Sequence, residues 1–195
     1  MNRPAVFLDR DGTINEQMGY INHLTRFQLL PDVGKAIRLL NDREIPVFVT
    51  TNQSGLARGY FPDSLLEEVH DLMIQQLLRD GARIDEIYIC PHHPEAKEER
   101  YRLNCQCRKP KTGLFLQAAS EHSLDLGKSF VVGDRWSDLK AAAACGAQGV
   151  LVLTGYGRGD LQYIGPTQKV QPSYVAEDLM AAVCWILQKL DVKDD

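Results

Sequence analysis

Short apolar runs alternate with amphipathic stretches along the whole chain, and no other feature of the sequence restricts its fold as tightly. Ala5–Leu8, Ile45–Thr50, Ile84–Cys90, Ser129–Val132 and Gly149–Leu153 have the length and β-rich composition of buried strands. The segments between them, Pro31–Arg43, Pro62–Arg79, Lys111–Ser123 and Ser137–Cys145, read as helices, as does Ala176–Leu190 with Trp185 as core filler. Val33, Ile37, Leu39 and Leu40 form the apolar face of the first helix. Leu65, Leu66, Val69, Leu72, Met73, Leu77 and Leu78 form that of the second. The polar, Gly- and Pro-containing stretch from Tyr156 to Pro172 reads as a surface loop. Alternation at this spacing predicts an α/β fold: a mainly parallel sheet with helices on both faces. At 195 residues, the chain is expected to form one domain, 1–195.

Composition narrows the partners. A net charge of −4 gives no support to binding nucleic acid or an anionic membrane. No stretch approaches the roughly 20 apolar residues of a membrane span. Met1-Asn2-Arg3-Pro4 runs straight into the first strand without room for a signal peptide, so cytoplasmic residence is expected. The five cysteines are odd in number, which argues against a disulfide framework.

In parallel sheets ligands gather where strands end, so reactive residues are expected just after the apolar runs. After the first run come Asp9-Arg10-Asp11-Gly12-Thr13. Unpaired carboxylates at a buried strand end are costly. They make chemical sense if a divalent cation neutralises them and one attacks an electrophile. After the second run, Thr51-Asn52-Gln53-Ser54-Gly55 offers neutral donors and close approach for phosphate oxygens. After the fourth come Gly133-Asp134-Arg135-Trp136-Ser137-Asp138, with the two acids about one helical turn apart. Oxygen ligands of this kind select a hard ion, Mg²⁺. Arg108-Lys109-Pro110 supplies cations that would pair with a phosphoryl group. Each motif has a plainer reading as a turn, a helix cap or a solvated charge; their recurrence at successive strand ends favours chemistry.

Cys90, His92, Cys105 and Cys107 follow the pattern C-x-H-x12-C-x-C. Two close pairs of soft or borderline ligands joined by a loop describe a tetrahedral structural Zn²⁺ site. His93 is the alternative nitrogen ligand, and His92 is favoured. With four protein ligands the metal would shape the loop, about residues 90–107, and hold Arg108 and Lys109.

Taken together, Asp9-x-Asp11-Gly-Thr, Thr51, Lys109 and Gly133-Asp134-x-x-x-Asp138 resemble the four ordered motifs of the haloacid dehalogenase superfamily over nearly the whole chain. The Thr51–Gly59 segment and the cysteine loop running into Arg108-Lys109-Pro110 resemble the heptose-bisphosphate phosphatase branch. The related histidinol-phosphate phosphatases also carry zinc but lack the Ser-Gly-Leu-Ala-Arg-Gly continuation. Arg135 departs from the lysine usual in the heptose branch and matches the histidinol relatives.

The resemblance implies a Rossmann-like three-layer sandwich without a large cap domain. It also implies a Mg²⁺-dependent phosphatase acting on the C7 phosphate of D-glycero-D-manno-heptose 1,7-bisphosphate, in nucleotide-activated heptose and lipopolysaccharide biosynthesis. Asp9 would be the nucleophile. Asp11 would be the general acid and base, a role calling for a raised pKa. Thr51 and Lys109 would stabilise the phosphoryl group. Asp9, the Asp11 backbone carbonyl and Asp134 would hold Mg²⁺, with Asp138 behind them. Arg108 would meet the substrate at its distal phosphate, and Gln17, Gly19, Tyr20, Asn52, Gln53, Ser54 and Arg135 would line the pocket. A small phosphorylated sugar as partner and a monomeric state are expected. The rival readings are histidinol-phosphate hydrolysis by the same residues and a zinc-stabilised binding module without catalysis.

Overall fold

Among the residues described by the computed structural model, 2–191, six strands form one parallel sheet. They are β1 (Val6–Leu8), β2 (Val47–Asn52), β3 (Glu86–Cys90), β4 (Phe130–Gly133), β5 (Gln148–Val152) and β6 (Tyr174–Ala176). Their spatial order is β3-β2-β1-β4-β5-β6. The helices are α1 (Val33–Asn41), α2 (Ser54–Ala57), α3 (Asp63–Arg79), α4 (Gly113–His122), α5 (Trp136–Cys145), α6 (Gly157–Gly159) and α7 (Leu179–Asp191). None of them is long and apolar enough to cross a membrane.

Strand alternation decides the layers, because successive side chains point to opposite faces. Val6 and Leu8 join a cluster with Ile37 of α1, Met73 of α3 and Ile186 of α7. Phe7 faces the other way, into a cluster with Phe48, Phe115 of α4 and Ala141 of α5. There it stacks on Phe48 at 5.5 Å between centroids and meets Phe115 edge-on at 5.3 Å. The three-layer α/β arrangement expected from the sequence is therefore present. Strand order reverses beside β1, between the β1-β2-β3 half and the β4-β5-β6 half. This switch point is where open parallel sheets bind ligands, and Asp9 and Asp134 follow the two strands that flank it.

Element boundaries differ from the sequence reading by a few residues, and some differences matter. β2 continues through Thr51 and Asn52, so those side chains sit on the strand end rather than in a following loop. α2 coils Ser54–Ala57 directly after it. Leu39 and Leu78 were expected to face the core but are 38% and 58% exposed, lying off the buried stripes of α1 and α3. Ala176 ends a sixth strand instead of opening the last helix. That helix starts at Leu179 because the Asp178 carboxylate accepts the Ala181 N–H at 2.8 Å. The stretch after Tyr156 is not a featureless loop: it winds through α6, a π-turn at Asp160–Ile164 and a 3₁₀ turn at Gly165–Thr167. It is pinned to α5, where Asp160 accepts the Trp136 N–H at 2.8 Å and the Trp136 indole donates to the Val170 carbonyl at 2.9 Å.

Candidate active site

The carboxyl ends of β1, β2 and β4 open into a cleft of about 420 Å³. Asp9 leaves β1 with its N–H bonded to the Val132 carbonyl at 2.9 Å, which registers it against β4. Asp134 leaves β4 fully buried; its Oδ2 accepts the Tyr156 N–H at 2.8 Å, while its Oδ1 has no partner. Backbone closes tightly around this carboxylate. A Cβ at Gly12 (φ +85°) or at Gly155 (φ +54°) would lie 2.2 Å from Asp134 Oδ2, so only glycine permits the approach.

One oxygen from each of Asp9, Asp134 and Asp138 falls within 4.8 Å of the others. At an effective dielectric of about 20, each pair at that distance repels by ~3 kcal/mol. Burial, and then the neighbouring charges, push Asp134 up to about 8. Burial likewise pushes Asp9 up to about 6, against the pull of Lys109. The buried Lys109 ammonium sits 2.9 Å from Asp9 Oδ1 and 2.6 Å from Asp138 Oδ1, and donates to the Thr50 carbonyl at 2.7 Å. With all three acids ionised, one ammonium against three carboxylates leaves two negative charges, the complement of one divalent ion. The donor set, all oxygen, with an orphaned buried oxygen on Asp134, fits Mg²⁺. The Asp11 side chain is not part of this carboxylate cluster.

Asp11 is held elsewhere. Arg10 Nη2 donates to both of its oxygens at 3.0 and 2.9 Å, Asn15 donates at 3.0 Å and Gln53 at 2.8 Å. This corrects the expectation of a raised pKa. Burial acts upward, but the Arg10 charge and the hydrogen bonds from Asn15, Arg10 and Gln53 outweigh it and hold the carboxyl below its ordinary range. Sequence reasoning saw a strand-end acid without its three donors.

The remaining residues expected at the site all line the same cleft: Gln17, Gly19, Tyr20, Thr51, Asn52, Gln53, Ser54, Arg108 and Arg135. Gln53 Nε2 also donates to Thr51 Oγ1 at 2.9 Å, tying Thr51 to Asp11. Asn52 is engaged with protein, exchanging two hydrogen bonds with the Lys109 backbone at 3.2 and 3.1 Å. Tyr20 meets Tyr60 edge-on at 4.7 Å on one rim. On another, Arg135 lies over the Tyr156 ring at 4.6 Å and 3.5 Å from Asp160. Gly55, Ser137 and Tyr156 also line the cleft and were missed. Tyr156 follows the fifth apolar run, so the strand-end rule applied once more would have found it.

Beside the cleft, Cys90, His92, Cys105 and Cys107 bring one donor atom each within 4.8 Å of the others, and all three thiols are free. His93 turns away, with Nε2 3.2 Å from Arg58. Two short-spaced pairs of S and N donors fit Zn²⁺. Arg108 donates to the His92 carbonyl at 3.4 Å, so this cluster adjoins the cleft wall.

Fold and site together define a phosphomonoesterase of the haloacid dehalogenase class, and a HAD-hydrolase-like family model matches residues 106–182. The chain is 44% identical to D-glycero-D-manno-heptose-1,7-bisphosphate 7-phosphatase from Thermosynechococcus vestitus, over 97% of this chain and 98% of that protein. It is 45% identical to D-glycero-beta-D-manno-heptose-1,7-bisphosphate 7-phosphatase from Haemophilus ducreyi, over 80% of this chain and 86% of the relative. A crystal structure of D,D-heptose 1,7-bisphosphate phosphatase from B. bronchiseptica, complexed with magnesium and phosphate, superposes with a TM-score of 0.85. It is 36% identical, covering 95% of this chain and 99% of that one. The chain belongs to the D-glycero-D-manno-heptose-1,7-bisphosphate 7-phosphatase family.

Proposed function

We propose that this protein removes the C7 phosphate of D-glycero-D-manno-heptose 1,7-bisphosphate through an aspartyl-phosphate on Asp9. The observation that carries the reading is the convergence of Asp9, Asp134, Asp138 and Lys109 at the switch point, with Asp11 and Thr51 linked through Gln53. The names of the relatives favour this substrate over histidinol phosphate, and a catalytic role over a mere binding module.

Mg²⁺, held by Asp9, the Asp11 carbonyl and Asp134, would neutralise the carboxylates and draw charge off the phosphoryl oxygens. An Asp9 oxygen forms a bond to phosphorus as the bond from phosphorus to the C7 oxygen breaks. Asp11, protonated for this step, gives its proton to the departing sugar oxygen. The Arg10 and Asn15 contacts that hold its pKa down also hold the carboxylate left behind, so the acid form is the one the resting protein disfavours. Water then attacks phosphorus, its proton passes to Asp11, and the phosphorus–Asp9 bond breaks, releasing phosphate and the original carboxylate. Lys109 and Thr51 supply charge and a hydroxyl to the phosphoryl oxygens in flight. Arg108 and Arg135 offer cations for the distal phosphate, and Gln17, Gly19, Tyr20, Asn52, Gln53 and Ser54 shape the wall.

Zn²⁺ on Cys90, His92, Cys105 and Cys107 would serve structure, ordering a polar loop that carries Arg108 and Lys109. The working unit is one domain, a cytoplasmic monomer. The test is a comparison of kcat/KM for both anomers of the heptose bisphosphate and for histidinol phosphate. One heptose anomer should exceed histidinol phosphate by at least about a hundredfold, well within the ~10⁴-fold that a hydrogen-bonding site can achieve. Faster cleavage of histidinol phosphate would overturn the substrate.

A further inference from the structure

Behind Asp11, away from the cleft, lies an interaction that the chemistry above leaves unused. Arg10 is 2% exposed, an enclosed guanidinium between the two reacting acids in the turn that follows β1. Its Nη2 spans both Asp11 oxygens, its Nη1 lies 3.0 Å from His70 Nε2, and its Nε has no partner. Among the described residues, His70 is therefore the one side chain apart from Asp11 to which the guanidinium is hydrogen-bonded. An arginine can only donate, so His70 Nε2 is the acceptor and the ring is neutral. Consistent with this, burial and then the Arg10 charge hold His70 down at about 3. His70 is itself fixed on α3, a 17-residue helix packed into the main core.

A planar guanidinium that meets both Asp11 oxygens through Nη2 while Nη1 is held by His70 sets the orientation of the acid as well as its position. Small misplacements of an acid or base cost large rate factors. We propose that Arg10 is a positioning residue for Asp11 and that His70 braces it, so that α3 sets the aim of the general acid from outside the cleft. This rests on Asp11 being that acid, as proposed above.

Leaving-group dependence separates positioning from general structural damage. A nitrophenolate departs without a proton, whereas a sugar oxygen needs one. Since kcat/KM reports only the steps through formation of the aspartyl-phosphate, loss of aim should lower it for the sugar phosphate alone. His70→Leu removes the acceptor at a site beside Leu56, Leu66 and Ile89, which line a small cavity with it and tolerate an apolar side chain. His70→Gln restores an acceptor. Asp11→Asn serves as the reference.

His70→Leu is expected to reduce kcat/KM for the heptose bisphosphate by about tenfold, while changing it for p-nitrophenyl phosphate by less than about twofold. His70→Gln should recover most of the loss, and Arg10→Lys, whose ammonium cannot join Asp11 and His70 in one fixed plane, should repeat it. Equal losses on both substrates, or no loss on either, would overturn the bracing role while Asp11→Asn still shows the leaving-group effect. If Asp11→Asn itself affects both substrates equally, the acid assignment falls and takes this proposal with it.

Discussion

Lys109 and Asp138 form an ion pair 2.6 Å long in which 2% and 1% of the side chains remain exposed. The same ammonium reaches Asp9, so one lysine spans the nucleophile proposed here and a carboxylate at the start of α5. Removing one member of such a pair strands the other charge in a dry site, at a cost of about 3–5 kcal/mol. Lys109→Met should therefore destabilise the protein by that amount and lower kcat by at least about a hundredfold. Urea unfolding of Lys109→Met, Asp138→Leu and the double variant checks the coupling. The double variant should lose less stability than the two single losses added together.

Metal and pH should act on stability together. The Asp9 and Asp134 carboxyls are raised in the folded protein, to about 6 and about 8, chiefly by burial. A raised acid favours the fold in its protonated form. That contribution is complete below the ordinary carboxylate range and is lost as pH climbs through 6 and 8. In chelator the melting temperature should fall between pH 5.5 and 8.5. Mg²⁺ at a hundred times its Kd should restore about 5 °C or more at the alkaline end, and less at the acid end, where protons compete for the site. A melting temperature independent of Mg²⁺ at both pH values would remove the cation from the account.

The cysteine loop gives a stoichiometric test. Elemental analysis of the purified protein should find one zinc per chain, and Cys105→Ala should lose it. With the loop released, Arg108 and Lys109 lose their support. KM should rise and kcat fall together, and the loop should become the first site of proteolysis. Full activity and protease resistance in a zinc-free Cys105→Ala variant would contradict the structural role.

Arg135 lies on the cleft rim, lodged between Tyr156 and Asp160. A charge-assisted contact to a second phosphate is worth about 1.5–3 kcal/mol. Arg135→Ala should thus raise KM for the bisphosphate by about tenfold or more and leave that for p-nitrophenyl phosphate nearly unchanged. Equal effects on both substrates would assign Arg135 to the transferred phosphoryl group instead.

Much of this molecule is readable from its residues, and the unread parts share a cause. Val6-Phe7-Leu8 announces a two-faced strand through composition alone, and the acid that follows it marks the ligand end of the sheet. The donor atoms of Cys90, His92, Cys105 and Cys107 meet as their spacing suggests. Contacts between distant segments are different. Nothing local to Asp11 tells that Gln53 will donate to it, and nothing in α3 tells that His70 will meet Arg10. The depressed Asp11 pKa follows from those contacts and was read with the wrong sign. β6 was lost because a three-residue strand pairing on one side only leaves little pattern, and the turns after Tyr156 are set by Asp160 and Trp136 rather than by periodicity.

The central claim is that Asp9 carries the phosphoryl group. Rapid acid quench of a single turnover, followed by peptide mass spectrometry, reads this directly. The account predicts one added phosphoryl group on the peptide containing Asp9, absent in Asp9→Asn and accumulating in Asp11→Asn with an aryl phosphate, where the second step lacks its base. Turnover with no modified Asp9 at any quench time, or a phosphoryl group on another residue, would contradict it.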